Sequence, residues 1–268
     1  MELRGKNPLQ NVIAIVPARY ASTRLPGKML LEIAGKPLIL HTLGQAAKAR
    51  NVSRVIVATD DERIFRAVSE NGGEAVMTSP DHRSGSDRVA EVAETLPADS
   101  IIVNVQGDEP TISPRTIEAA VDALINDDAA DMATTCETIN GIDELMNGSV
   151  VKVVTNDAGY AVYFSRSPIP YPREAVSRYG SFDEALYKEP QILSLFHKHT
   201  GLYVYRREYL LRFAKMPPTK LEQIEMLEQL RALENGAKIR VVEVNETSIG
   251  VDTAEDLERV RNILETNG

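Results

Sequence analysis

Three cations, Arg19, Arg24 and Lys28, fall within ten residues of the segment "ARYASTRLPGK", with Gly27 beside the last of them. They follow the apolar run "NVIAIVPA", which reads as a buried first strand. In a parallel sheet, the loop after that strand is where phosphates are held. Guanidinium and ammonium groups supply fixed positive charge there, and a glycine lets backbone N–H groups approach a ligand. From charge alone, a solvated surface loop fits equally well. Neither G-x-x-x-x-G-K-[ST] nor G-x-G-x-x-G follows the strand, so the two common phosphate loops are excluded.

Carboxylates gather at two other element ends. In "NVQGDEP", Asp108 and Glu109 stand at a strand terminus between Gly107 and Pro110. That position suits a hard-oxygen ligand for a magnesium-nucleotide, since Mg²⁺ takes one or two carboxylates plus phosphate oxygens. An acidic turn is the plain alternative. Asp252, in "SIGVDTAEDL", lies between a strand and the last helix, as a ligand or as a helix cap with Thr253 competing for that job. Ser84, Gly85 and Ser86 in "DHRSGSDR" read as a helix start. Arg166 ends the strand "YFSR", where it suits a bidentate grip on a carboxylate. His199 opens "HTGLYVYR", with Tyr203 and Tyr205 following; His197 and His199 share a face if the strand starts that early. Cys136 in "DMATTCETI" reads as a small strand residue rather than a nucleophile.

The elements that must position these residues alternate. Strands at "NVIAIVPA", "SRVIVATD" and "SIIVNVQGDEP" are separated by helices at "PLILHTLGQAAKA", "DERIFRAVSENGG" and "GSDRVAEVAETL". A further helix, "SPRTIEAAVDALIND", is capped by Ser113 with Pro114 in its first position. This alternation predicts a mostly parallel, Rossmann-like α/β sheet with flanking helices. After about residue 130 the rhythm changes. "DMATTCETI", "VVKVVTN" and "YAVYFSR" read as antiparallel strands, and residues 168–198 as an aperiodic, flexible excursion that suits a lid or subunit contact. "LEQIEMLEQLRALENG" reads as one helix with Leu221, Ile224, Leu227 and Leu230 as a buried stripe, and "KIRVVEV" and "TAEDLERVRNILE" close the chain as strand and helix. The expectation is a single α/β domain over residues 1–268, with its main part at about 12–130 and a smaller inserted antiparallel lobe at about 131–220.

Composition narrows the partners. With 30 basic against 39 acidic side chains the net charge is −9, which disfavours a nucleic-acid binder but leaves room for a small anionic ligand. A single cysteine excludes an intrachain disulfide framework and suits a reducing compartment. No apolar run approaches a membrane span, and the start lacks a signal peptide's apolar middle, so a cytoplasmic protein is expected.

"PARYASTRLPGK" followed by "AGKPLI" resembles the signature of the cytidylyltransferases that activate acidic sugars with CTP. "VATDD", "DHRSGSDRVAEV", "VNVQGDEP", "VKVV", "YFSR", "HTGLYVYR", "LEQIEMLEQLR" and "GVDTAEDLERV" agree in order, across almost everything after residue 11. The resemblance implies transfer of CMP from CTP to the anomeric hydroxyl of 3-deoxy-D-manno-octulosonate (Kdo) for lipopolysaccharide synthesis, with release of pyrophosphate. It assigns Arg19, Arg24 and Lys28 to the triphosphate, and Ser84, Gly85, Arg88 and Gln106 to the nucleotide. It gives Asp108 and Asp252 to Mg²⁺, with Lys28 and Arg19 joining them in catalysis. Gln106, Arg166, His199, Tyr203, Glu222 and Gln223 fall to the sugar acid. It also implies a homodimer.

Other readings stay open at this point. The same chemistry on 8-amino-Kdo or a sialic acid is the nearest, because "REAVSRYGSFDEALYKEP" departs from the family pattern. A glycosyltransferase would usually show a D-x-D motif, which "QGDEP" is not. A nucleotide-sensing module would bind without turnover.

Overall fold

The structure is a computed structural model that describes residues 11–21 and 25–266. The chain divides into two compact units.

The first unit comprises residues 1–122, 202–215 and 246–268. Its strand Val12–Ala18 is buried at every position, as expected of a central parallel strand covered on both faces. It pairs in parallel with Arg54–Thr59 on one side and Ile101–Asn104 on the other; Ile15 faces both Ile56 and Asn104. The chain builds outward from the first strand through Arg54–Thr59 to Glu74–Met77, then returns to place Ile101–Asn104 on the opposite side. That reversal is a topological switch point. The loops leaving the carboxyl ends of Val12–Ala18 and Ile101–Asn104 therefore open side by side, where open α/β sheets bind ligands. The end of His197–Arg206 adds an antiparallel strand, Tyr203 opposite Asn104.

Local chemistry fixes the helices. Asp61 accepts from the Arg63 N–H at 2.9 Å to start Glu62–Glu70, and Gly72, at φ 76°, turns the chain out of it. Ser84 and Asp87 cap Gly85–Glu94 reciprocally. Ser113 accepts from Arg115 N–H at 3.2 Å at the head of Pro114–Ile125, as expected. The sequence reading missed Glu74–Met77, a four-residue strand directly behind Gly72-Gly73 that is too short for a legible alternation.

The second unit comprises residues 123–201 and 216–245. Lys152–Thr155 and Ala161–Ser165 form the expected antiparallel pair, and His197 and Lys198 pair antiparallel with Val153 and Lys152. Met132–Thr138 departs from expectation: it runs parallel to Ile239–Glu243, a partner about a hundred residues away that no local pattern announces. Residues 168–198 are not an aperiodic excursion. Helices Arg173–Tyr179 and Phe182–Lys188, joined through Gly180 at φ 87°, lead into a 3₁₀ turn, Pro190–Leu195. Each has seven residues, too few to display a period, and they hold through a small core around Leu145, Ala185, Leu186 and Phe196.

The expected single helix from Leu221 is likewise two, Lys220–Glu225 and Gln229–Glu234, broken at Met226, which adopts φ 54°. The predicted stripe is cut with it: Leu227 and Leu230 are buried, whereas Ile224 is 68% exposed. Glu222 explains the break. It accepts from the Thr219 N–H at 3.0 Å and from Arg231 Nε at 2.9 Å, folding the second helix back toward the start of the first. Among the described residues, no helix is long and apolar enough to cross a membrane.

Candidate active site

The loop after the first strand folds back on itself. The Gly27 N–H bonds the Tyr20 carbonyl at 3.2 Å, and Gly27 takes φ 68°. A Cβ there would also meet the Tyr20 ring at 3.0 Å, so glycine is required to close the loop as well as to open its surface. The Tyr20 ring lies under the Arg63 guanidinium, 3.3 Å from the ring centroid. Arg19 is exposed at the mouth of the cleft. Arg24 lies outside the described residues.

Lys28 begins the short turn Lys28–Leu30 and points inward. Its ammonium donates to Asp108 Oδ2 at 2.5 Å, to Asp252 Oδ1 at 3.0 Å and to the Val251 carbonyl at 3.1 Å. Burial alone would depress its pKa; the charge and hydrogen bond of Asp108, joined by those of Asp252, outweigh burial and hold it above the ordinary lysine value. The cation is therefore permanent at physiological pH.

Both aspartates are aimed by backbone contacts. Gly107 is so close to the first strand that a Cβ would sit 2.8 Å from the Pro17 carbonyl, and Thr42 Oγ1 donates to the Gly107 carbonyl at 2.9 Å. The Val251 N–H donates to the Asp108 carbonyl at 2.8 Å, bringing the two segments together. The ambiguity over Asp252 resolves here. Thr253 Oγ1 accepts from the Asp256 N–H and Asp256 accepts from the Thr253 N–H, so this pair caps Ala254–Thr266 and leaves the Asp252 side chain to face Lys28.

These groups line a cleft of about 590 Å³, within the usual range for small-ligand sites. The start of Gly85–Glu94 forms another wall with Ser84 and Gly85, and helix N-termini favour anions. Gln106 also lines the cleft, its amide 3.4 Å from Asn104 Oδ1. Arg88 reaches the wall but is buried, with a 2.8 Å bond to Asp60 and a short one to Thr78. Sequence reasoning singled out neither Tyr20 nor His82, both of which line the cleft. His82 bonds Glu91 closely, a partner nine residues along that no motif marks. Both lie inside quoted motifs, and that proximity was the available signal.

The residues assigned to the sugar acid are distributed differently. Gln106 and Tyr203 belong to the first unit, where Tyr203 stacks on Tyr205 with centroids 6.0 Å apart. Arg166, His199, Glu222 and Gln223 belong to the second. The Arg166 guanidinium donates to the carbonyls of Glu225 (2.7 Å), Gly148 (3.0 Å) and Met226 (3.3 Å), so it is held against the helix that carries Glu222 and Gln223. Glu222 is spent on Arg231 and the helix start, while Gln223 is exposed. His199 bonds the Thr134 hydroxyl at 2.8 Å and meets Phe164 edge-on at 5.0 Å. Burial pushes its pKa down to about 3, so the ring is neutral.

Asp108, just after a strand, and Asp252, just before the last helix, can supply hard oxygen to a magnesium-nucleotide. They converge on one point already stabilised by a cation, and neither is fully buried, at 26% and 47% side-chain exposure. The donor set fits Mg²⁺ when triphosphate oxygens complete it. Among the described residues, no group of three or more His, Cys, Asp or Glu forms a metal cage.

A switch-point cleft with a basic loop on one side and two carboxylates at its floor defines a nucleotidyltransferase. More narrowly, this chain belongs to the Cytidylyltransferase family, whose model matches residues 13–239. It is 53% identical over 250 residues to the 3-deoxy-manno-octulosonate cytidylyltransferase of Geobacter sulfurreducens, covering 93% of this chain and 98% of that one. It is 51% identical to the enzyme of the same name from Geotalea daltonii, over 96% and 99% of the two chains. A solved CMP:2-keto-3-deoxy-manno-octonic acid synthetase complexed with CTP superposes with a TM-score of 0.86 at 43% identity, over 96% of this chain and all of that one. The 4-diphosphocytidyl-2C-methyl-D-erythritol synthase of Anaerococcus prevotii shares the fold at 13% identity and a TM-score of 0.60.

Proposed function

We propose that this protein is a 3-deoxy-manno-octulosonate cytidylyltransferase, transferring CMP from CTP to the anomeric hydroxyl of Kdo with release of pyrophosphate. Full-length identity to enzymes of that name supports the reaction. The observation that carries the site is the convergence of Lys28, Asp108 and Asp252 at the floor of the first unit's cleft.

In this reading the triphosphate lies along the loop, against Arg19, Arg24 and Lys28, with the helix start at Ser84 and Gly85 beside the nucleotide. The sugar's anomeric oxygen attacks the α-phosphorus in line, a P–O bond forms, and the bond to the β-phosphate oxygen breaks. The cations meet charge that grows on the phosphorane oxygens and the departing pyrophosphate. Such a reaction is mostly positioning, which suits a site of fixed charges. Asp108 and Asp252 would hold Mg²⁺, which supplies charge neutralisation and a more acidic sugar hydroxyl when bound. The residues assigned to the sugar acid are Gln106 and Tyr203 in the first unit and Arg166, His199, Glu222 and Gln223 in the second. His199 acts there as a neutral hydrogen-bonding group, since its pKa lies too low for it to carry charge. The enzyme works in the cytoplasm as a homodimer built through the second unit, a reading supported by the exposed apolar side chains of Tyr187 and Leu195 there.

A substrate panel tests the reading: four nucleoside triphosphates against Kdo, 8-amino-Kdo and a sialic acid, each with Mg²⁺. Pyrophosphate and CMP-Kdo should form with CTP and Kdo. Faster product formation on another sugar acid would move the specificity, and binding of CTP without any product would reduce the protein to a nucleotide-binding module.

A further inference from the structure

Lys28 sits at the point on which Asp108 and Asp252 both converge. Its ammonium has three protons, and each has an acceptor: one oxygen from each aspartate and the Val251 carbonyl. The side chain is only 10% exposed, so this is a built contact between three elements rather than a surface pair. A divalent cation on those carboxylates would draw on the same two negative charges and repel the ammonium at contact distance. The two cations are therefore competitors.

We propose that Lys28 is the resident counter-ion of the metal site, shielding Asp108 and Asp252 from divalent cations until a triphosphate takes its ammonium. This rests on the reading above that these aspartates are the metal ligands. The loop supplies the means of exchange. Lys28 is anchored just after Gly27 and lines the same cleft as Arg19. Leaving two carboxylates without a counter-charge costs Lys28 a cation's worth of pairing, and the phosphates restore it. Metal and nucleotide binding are then coupled through one side chain, and by reciprocity each favours the other. The device discriminates against metal alone and favours a metal that arrives with its nucleotide.

The test titrates Mn²⁺ alone into nucleotide-free protein, following free Mn²⁺ by its paramagnetic resonance. Lys28→Met should bind Mn²⁺ at least about tenfold more tightly than wild type, because opposite charge no longer occupies the carboxylates. Lys28→Gln, which keeps polarity without charge, should behave the same way. Thermal unfolding gives a second readout for variants that fold weakly: Mn²⁺ should raise the midpoint of Lys28→Met by more than it raises wild type. Equal Mn²⁺ affinity in wild type and Lys28→Met, abolished in both by Asp252→Asn, would overturn the shielding role and leave the metal ligands standing. Mn²⁺ affinity unaffected by Asp108→Asn and Asp252→Asn, with CTP present, would overturn the ligand assignment and this inference with it.

Discussion

Two lysines of this chain sit in the same kind of nest. Lys28 lies between Asp108 and Asp252, at 2.5 and 3.0 Å; Lys198 lies between Glu144 and Glu137, at 2.7 and 3.1 Å. In each case burial pulls the lysine pKa down and the two carboxylates more than restore it, so both are raised. Their surroundings differ. Asp108 and Asp252 keep 26% and 47% of their side chains exposed and look into a cleft with Arg19 and a helix start. Glu137 keeps 8% and Glu144 27%; Glu144 also accepts from the Asn140 N–H, and its pair with Lys198 ties the helix Ile142–Met146 to the strand carrying Lys198. Exposure alone does not separate them, since Glu144 keeps 27% against 26% for Asp108; what differs is that the aspartates line a cleft and the glutamates join neighbouring elements. The lesson is that charge pattern alone does not identify a site.

The contrast can be broken first at the acids. Asp108→Asn should lower turnover by at least about 100-fold, read as Mg²⁺-dependent pyrophosphate release, because it removes charge from the group facing the reacting phosphates. Near-normal release would put Asp108 in the same structural class as Glu137. Lys28→Met should lower kcat by about tenfold or more while leaving the KM for Kdo within about twofold. A rise confined to that KM would move Lys28 to the sugar.

The second nest should answer differently. Lys198→Met strands two acids and should cost about 2 kcal/mol of unfolding free energy in urea, discounted because Glu144 is partly exposed, with kcat within about twofold of wild type. A large kcat loss at unchanged stability would make Lys198 functional.

The smallest effect belongs to His199. Its folded pKa of about 3 lies below the ordinary histidine value, so the unfolded chain binds a proton first as pH falls. Its neutral burial therefore adds no penalty above about pH 6.5 and destabilises the fold progressively between there and about pH 3, by about 1–2 kcal/mol at pH 5. His199→Gln, which can keep the Thr134 bond, should show a shallower loss of stability from pH 7 to 5. An unchanged slope would show that the ring is not held neutral.

The first unit was largely legible in the sequence because its information is local. Apolar runs marked the buried strands, caps marked the helices, and Arg19 and Asp108 stand close behind the strand ends at Ala18 and Asn104. What stayed hidden there was a choice between neighbours: Asp252 and Thr253 competed for one cap, and only the Thr253–Asp256 pair decided it. The second unit depends on distant partners. Met132–Thr138 finds its parallel neighbour in Ile239–Glu243, and Glu222 breaks a promising helix by reaching Arg231. The three carbonyls that hold the Arg166 guanidinium come from Glu225, Gly148 and Met226. Periodicity carries none of this, since these contacts are made across sequence rather than along it.

If the carboxylates paired with Lys28 serve catalysis rather than architecture, Asp252 is the sharper probe. Asn at 252 removes the charge while Thr253 and Asp256 keep the helix capped, so the thermal midpoint should stay close to wild type. Pyrophosphate release from CTP and Kdo in Mg²⁺ by Asp252→Asn should then fall at least about 100-fold at unchanged stability. Release near the wild-type rate from the folded variant would contradict the account.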